Sequence, residues 1–167
     1  MNRVWVLAVL SAFAAGCSSY SWRPSVPDSM RTVSVPTMRN ESDVTELGSV
    51  MTRQLLREFQ REGTFSIAPQ GEAAIEIQGI VKGVSTASRG YDRRAGFRIA
   101  SYDMTAEVEI SVIDKRNGKV LVDNKTYTPA AVYTSSQDRL TAHRDASGRL
   151  ADDLARQVVD DVTSLKW

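Results

Sequence analysis

The chain has one cysteine, Cys17, and one histidine, His143, in 167 residues. A lone cysteine excludes a disulfide framework, so the apolar core must hold the fold by itself. It also leaves no His/Cys cluster for a zinc site and no partners for a catalytic triad. No catalytic or metal-binding residue is expected, no cofactor is implied, and His143 is read as a surface residue. Neither charge dominates, with 21 Lys+Arg against 20 Asp+Glu. A balance this close argues against a nucleic-acid partner and confines any basic site to a local patch. A glycine-rich phosphate loop is missing. Past the first residues, no apolar run approaches the roughly 20 residues that a membrane-spanning helix requires.

The N-terminus does carry a pattern. Arg3 precedes an apolar run over residues 4–13, too short to cross a bilayer, and the small residues Ala14, Ala15 and Gly16 close it. This is the three-part layout of a secretory signal peptide. Ala14-Ala15-Gly16-Cys17 resembles a lipobox, the cleavage and acylation signal of bacterial lipoproteins. Residues 1–16 are therefore expected to be a signal peptide, with Cys17 the acylated N-terminus of the exported chain. The covalent lipid, palmitate among its acyl groups, would be its sole non-protein group. Two or more acyl chains anchor a protein stably where one holds it only marginally. By resemblance to enteric-type lipoproteins, Ser18 after the cysteine implies the outer membrane.

Arg3 is the only charge in residues 1–16, so the exported chain carries equal numbers of basic and acidic residues. Its length suits one domain. Residues 17–30, rich in Ser and Pro and without periodicity, read as the acylated cysteine and a flexible tether. The domain is expected over residues 31–167.

Thr32-Val33-Ser34-Val35-Pro36 alternates and reads as a strand. Asp43, with Glu46 three residues on, looks like a helix start. Val44, Leu47, Met51, Leu55 and Phe59 then mark one helical face, and Gly63 is a natural stop. Residues 65–67 suggest a short strand. Ala73, Ile75, Ile77, Gly79 and Val81 share one face of a long strand, followed by a polar loop over residues 88–96. A second long strand over residues 97–114 has Ala106, Val108, Ile110 and Val112 on one face. Phe97 and Ile99 have the other parity, which predicts a bulge near residues 101–104. Asn117-Gly118 marks a tight hairpin turn, and a third strand over residues 120–128 ends at Pro129. Leu150, Leu154, Val158, Val162 and Leu165 form the stripe of a last helix, frayed at Gly148. The expected fold class is α+β: one domain, a mostly antiparallel four- to five-stranded sheet, two helices packed on one face. The two long strands predict an elongated domain.

Several stretches together resemble the lipopolysaccharide-assembly lipoprotein family LptE. They are Met30-Arg31-Thr32-Val33-Ser34-Val35-Pro36-Thr37-Met38-Arg39-Asn40, Met51-Thr52-Arg53-Gln54-Leu55, Arg61-Glu62-Gly63-Thr64-Phe65, the strand at residues 73–81 and the hairpin at residues 114–127. The resemblance implies a periplasm-facing lipoprotein on the inner leaflet of the outer membrane. It also implies a role as plug and assembly partner of the LptD β-barrel, contact with lipopolysaccharide, and no enzymatic activity.

Lipopolysaccharide offers phosphates and carboxylates, which Arg recognises in bidentate fashion. The richest basic patch is Arg89, Arg93, Arg94 and Arg98, interleaved with Tyr91 and Phe97. An antiparallel meander would bring Arg139, His143 and Arg144 to the same end. These six arginines are the candidate lipopolysaccharide contacts. The competing reading is a solvated loop whose arginines pair with Asp92 or Asp103. Lys115, Arg116 and Lys119, at the opposite end, rank lower and read as a surface turn. Asp152, Asp153, Asp160 and Asp161 read as a solvated helix face. The alternative function is an envelope lipoprotein of LpoB or CsgG type, regulating cell-wall synthesis or forming a secretion pore. Thr32 to Ile67 fits both readings, while the long meander and terminal helix favour the first.

Overall fold

The computed structural model describes residues 26–92, 98–134 and 139–167. A short 3-10 turn, Asp28–Met30, leads into β1 (Thr32–Ser34) and β2 (Arg39–Asn40). Helix α1 (Leu47–Glu62) and β3 (Ser66–Ile67) follow. Two long strands, β4 (Ile75–Asp92) and β5 (Arg98–Asp114), then β6 (Lys119–Tyr127), β7 (Ala130–Thr134) and α2 (Arg139–Thr163) complete the order. The class is the expected α+β, with two helices against a curled mixed sheet. Among the described residues the sheet has seven strands rather than four or five, two of them only two residues long. Its long pairings, β4 with β5 and β5 with β6 and β7, are antiparallel. The N-terminal pairings of β1 with β3 and β4, and of β2 with β4, are parallel. Parallel pairing follows from α1, a crossover that returns the chain in the direction in which it left.

The helical stripes and the sheet face meet in one core. Leu47, Met51, Leu55 and Phe59 of α1 are buried against Ile75, Ile77 and Val81 of β4 and Met104, Ala106, Val108, Ile110 and Val112 of β5. From α2, Ala142, Ala146, Leu150, Ala151, Leu154, Ala155, Val158 and Val162 join them. Val26 and Met30 are buried in the same core, so residues 26–30, which read as tether, pack against the domain.

Four local expectations are corrected. Asp43 does not cap α1. The Asn40 side chain accepts from the Ser42 N–H (3.1 Å) and hydroxyl (2.7 Å) and donates to the Val44 carbonyl (2.8 Å). That holds residues 42–46 in turns, and the helix begins only after Glu46, whose φ is +67°. Second, residues 88–92 are strand, not loop: their backbone stays paired with residues 98–102. Ser88 and Arg89 are both exposed, so the stretch starts without the alternation that reveals a half-buried strand. Third, β7 was missed, because Ala130–Thr134 follows a proline and reads as a return segment. Fourth, α2 runs straight through Gly148 from Arg139. A glycine costs a helix interior about 1 kcal/mol, which burial of Ala142, Ala146 and Leu150 offsets. The bulge falls beside its expected window: Tyr91 pairs with Ile99 and Gly90 with Ser101, leaving Ala100 extra. Gly63 ends α1 as expected, at φ +81° with its N–H on the Phe59 carbonyl.

Met38 joins helix to sheet. Its N–H donates to the Thr52 hydroxyl (2.9 Å), which donates to the Gly48 carbonyl (2.7 Å). The fit depends on two glycines. A Cβ on Gly48 would stand 2.4 Å from the Met38 carbonyl oxygen, and one on Gly79 would stand 2.7 Å from Met38 Cγ. Alanine is worth about 1 kcal/mol over glycine in a helix, whereas overpacking costs about 1–3 kcal/mol. At Gly48 the obstacle is backbone, which cannot swing aside, so Gly48→Ala is expected to lower stability by about 1–2 kcal/mol in urea unfolding. A gain in stability would show that the β1–β2 connection moves freely.

Candidate functional site

Strands β4 and β5 outrun the core. At about 3.3 Å per residue they reach some 55 Å. The turn at residues 115–118 closes one end, and residues 93–97 join the strands at the other. Beyond Val84 the β4 side chains Ser85, Thr86, Ala87, Ser88 and Arg89 are all exposed. The outer edge of the sheet is therefore exposed at these β4 positions, while β5 stays paired with β7 as far as Ser101.

Arg89 lies at the bulge between Ser88 and Gly90 and makes an exposed ion pair of 3.3 Å with Asp103. Exposed pairs of this kind contribute about 0–1 kcal/mol, so an incoming phosphate can displace Asp103 at little cost. Met104, beside Asp103, is buried on the helical face, which sets Asp103 and Arg89 on the face away from the helices. On the helical side Tyr102 stacks on Tyr133 of β7 (5.1 Å between ring centroids, 17° between planes). Tyr133 in turn meets the His143 ring of α2 at 5.8 Å. This aromatic ladder braces the ribbon where it leaves the core. No local pattern points to it, since Tyr133 lies on β7, whose residues follow a proline and show no strand signal. His143 is half-buried rather than a plain surface residue.

The candidate residues thus share an end but not a face. Arg89 points away from α2, whereas Arg144 is exposed on α2 itself. Arg98 begins β5 and Arg139 begins α2. Arg93 and Arg94 fall in the segment at residues 93–97, outside the described residues, as does Cys17.

The opposite end is knitted together. Arg116 grips the buried Asp114 with two bonds (Nε to Oδ1 3.0 Å, Nη2 to Oδ2 2.9 Å) and donates to Ser29 Oγ at 2.9 Å. Its hydrogen bond holds the Asp114 carboxyl below the usual range. Lys115 stands 3.5 Å from Glu76. Glu76 is also held low, first by a hydrogen bond from Gln78 and then by the Lys115 charge. Lys115 and Arg116 therefore already have carboxylate partners within the domain, while Lys119 is exposed on the first residue of β6. The Ser29 contact also ties the start of the domain to this end, far from the arginine tip.

The α2 carboxylates are not simply a solvated face. Asp161 accepts from Lys125 Nζ (2.6 Å) and from the Tyr127 hydroxyl (2.7 Å), and Asp153 accepts from the Ala130 N–H (3.1 Å). Burial and the Asp161 charge push the Tyr127 hydroxyl well above its ordinary pKa. Among the described residues, no cluster of three or more His, Cys, Asp or Glu could hold a metal ion. Among them also, no helix is long and apolar enough to cross a membrane.

Residues 30–162 match the family LptE, described as lipopolysaccharide-assembly. The chain belongs to the LptE family. This is a family of non-enzymatic outer-membrane lipoproteins that serve lipopolysaccharide assembly. No curated protein matches the chain. Solved structures share its fold at low identity. A hypothetical protein from Chlamydia trachomatis is 12% identical with a TM-score of 0.55, the alignment covering 81% of this chain and 96% of that one. A Xanthomonas campestris protein is 13% identical with a TM-score of 0.55, covering 85% and 87%. These likenesses speak for the fold alone.

Proposed function

We propose that this LptE-family chain is the lipid-anchored plug and assembly partner of an LptD-type outer-membrane β-barrel, and that its arginine-bearing hairpin tip touches lipopolysaccharide in transit. In this reading residues 1–16 are the signal peptide, Cys17 carries the lipid, and a short tether leads to the domain, whose packing starts at Val26. The observation that carries it is the polarity of the molecule. The domain begins at the turn end, where Arg116 holds Ser29, and Arg89 and Arg98 lie on the far parts of strands about 55 Å long. A bilayer with its headgroups is about 40–45 Å thick. A ribbon rising through a barrel lumen from the inner leaflet would therefore present Arg89, Arg93, Arg94 and Arg98 at the outer leaflet. The exposed Ser85, Thr86, Ser88 and Arg89 suit a polar lumen. Each charge-assisted bond from an arginine to phosphate contributes about 1.5–3 kcal/mol.

Affinity purification of the tagged, acylated protein in detergent tests the partner. A stoichiometric large β-barrel is expected. Recovery of a cell-wall synthase, or of a ring of this chain alone, would favour the LpoB- or CsgG-type reading. Arg93→Glu with Arg94→Glu then tests the tip. Lipopolysaccharide binding should fall at least about tenfold, since two charge-assisted bonds are lost, with barrel recovery unchanged. Unaltered binding would remove the tip from the contact.

A further inference from the structure

The free edges of the sheet are finished in different ways. β3 offers only two residues. Past its pairing with β2, β4 carries the cations Lys82 and Arg89 and is bulged at both. β6 carries Lys119, Asp123 and Lys125 and is bulged at Asn124, whose φ is +43°. Short strands, charges and bulges all discourage strand addition. β7 has neither charge nor bulge. Its pairing with β5 runs without a register shift, and the sequence from Thr126 to Gln137 contains no charge.

The Ala106 N–H donates to the Pro129 carbonyl (3.1 Å), and the antiparallel register continues from there to Thr134. Ala131 and Tyr133 therefore turn their main-chain groups toward β5, and Ala130 and Val132 turn theirs outward. Side chains of α2 meet these outward groups. Asp153 accepts from the Ala130 N–H (3.1 Å), and Arg149 donates to the Val132 carbonyl (2.8 Å). Gln157 donates to the same Asp153 oxygen (3.1 Å) and Arg156 stands 3.7 Å from the other, which fixes the carboxylate. Four residues of helix rise about 6 Å. Two residues of strand rise about 6.6 Å. Side chains one helical turn apart can therefore reach alternate residues of a strand. Farther along the same row of α2, Asp161 takes Lys125 and Tyr127 of β6.

We propose that Arg149 and Asp153 stand in for a missing strand: they occupy the β7 edge and keep a second copy of the chain from pairing with it. Arg149 donates where a neighbouring strand would offer an N–H, and Asp153 accepts where it would offer a carbonyl. The occupant they exclude is a second copy, because β7 is self-complementary. Antiparallel pairing about Val132 sets Ala130 opposite Thr134 and puts no charge against a like charge. The edge is otherwise open to approach. Ala130, Val132 and Arg149 are exposed, and a cleft of about 500 Å³ lies between β7 and α2. The role is independent of the barrel reading, since it concerns the chain before any partner is met.

The test follows the full-length acylated protein in detergent by sedimentation equilibrium, with amide hydrogen exchange read at Ala130. The variant is Arg149→Ala with Asp153→Ala, which keeps the net charge and places the best helix former at both positions. It should self-associate at least about tenfold more tightly than the parent. At low concentration its Ala130 amide should exchange about tenfold faster or more, and at high concentration pairing of copies should slow that exchange again. Adding Val132→Lys sets like charges opposite each other at the centre of the pairing and should return the protein to parent behaviour. Asp160→Ala with Lys166→Ala, also charge-neutral, is the control and should associate no more than the parent. Parent-like association of the double variant would overturn the inference, whether or not Ala130 exchanges faster. Association that survives Val132→Lys, or that the control shares, would overturn it as well.

Discussion

Cys17→Ser is expected to remove the protein from the outer membrane altogether. The substitution deletes the only thiol in the chain and with it, on the proposed lipobox reading, the atom that would carry the diacylglycerol. Each buried CH₂ of an acyl chain contributes about 0.8 kcal/mol, so two or more chains anchor the protein in a way that no exposed side chain can replace. On the same reading the change should also block cleavage after Gly16, because the processing signal would include the cysteine. The uncut variant should therefore keep residues 1–16 and stay at the inner membrane through its apolar run at residues 4–13. Separation of inner and outer membranes with intact-mass measurement reads both effects. Barrel recovery should fall with outer-membrane content, since a plug delivered to the wrong membrane cannot reach its barrel. A Cys17→Ser chain found in the outer membrane, trimmed after Gly16, would sink the lipobox reading and the anchor with it.

How far the sequence could be read depended on how each segment meets water. Where one face is buried, the periodicity is plain. Leu47, Met51, Leu55 and Phe59 repeat on α1, Ile75, Ile77 and Val81 alternate on β4, and all are buried. At Ser88 and Arg89 neighbouring side chains are both exposed, so no pattern marks the strand that continues to Asp92. Helix starts depend on which side chain wins the backbone donors. Asp43 and Glu46 offered a plausible cap, but Asn40, three residues earlier, took the N–H of Ser42 and so set the turns. Gly148 misled for the opposite reason: a local penalty of about 1 kcal/mol is small beside the burial of a whole helical stripe. The candidate site was legible as a set of arginines but not as a surface. Composition revealed Arg89 and Arg144, and antiparallel topology placed them at one end. Only the parity around Met104 assigns Arg89 to the face away from α2. The Tyr102–Tyr133–His143 ladder joins three elements and follows from no local rule.

Phe59→Ala should produce the largest loss of folding stability among the substitutions considered, about 3–5 kcal/mol. Phe59 sits on the last turn of α1 and is fully buried. Its ring meets Phe65 edge-on (centroids 5.7 Å apart, planes at 87°), and Phe65 meets Trp167 at 5.6 Å. Three separate pieces of chain close on one another here: the end of α1, the residue before β3, and the segment after α2. Truncation removes the transfer free energy of a benzyl group and leaves a void that this junction cannot fill, since Phe65 is placed by contact with the missing ring and Trp167 by contact with Phe65. The melting temperature should drop by roughly 10–20 °C for a domain of this size. Trp167 gives an independent readout. Its indole is partly buried and packed against the core, so loosening the junction should shift its emission to the red before global unfolding. Phe59→Leu keeps most of the volume and should cost only about 1–1.5 kcal/mol, with Trp167 emission little changed. A melting temperature for Phe59→Ala within a few degrees of the parent would mean that the aromatic junction does not close the core. This junction lies beside β3 and β1, which meets β4 at Ile75, the end away from the arginines, so lipopolysaccharide binding below the melting temperature should survive both substitutions.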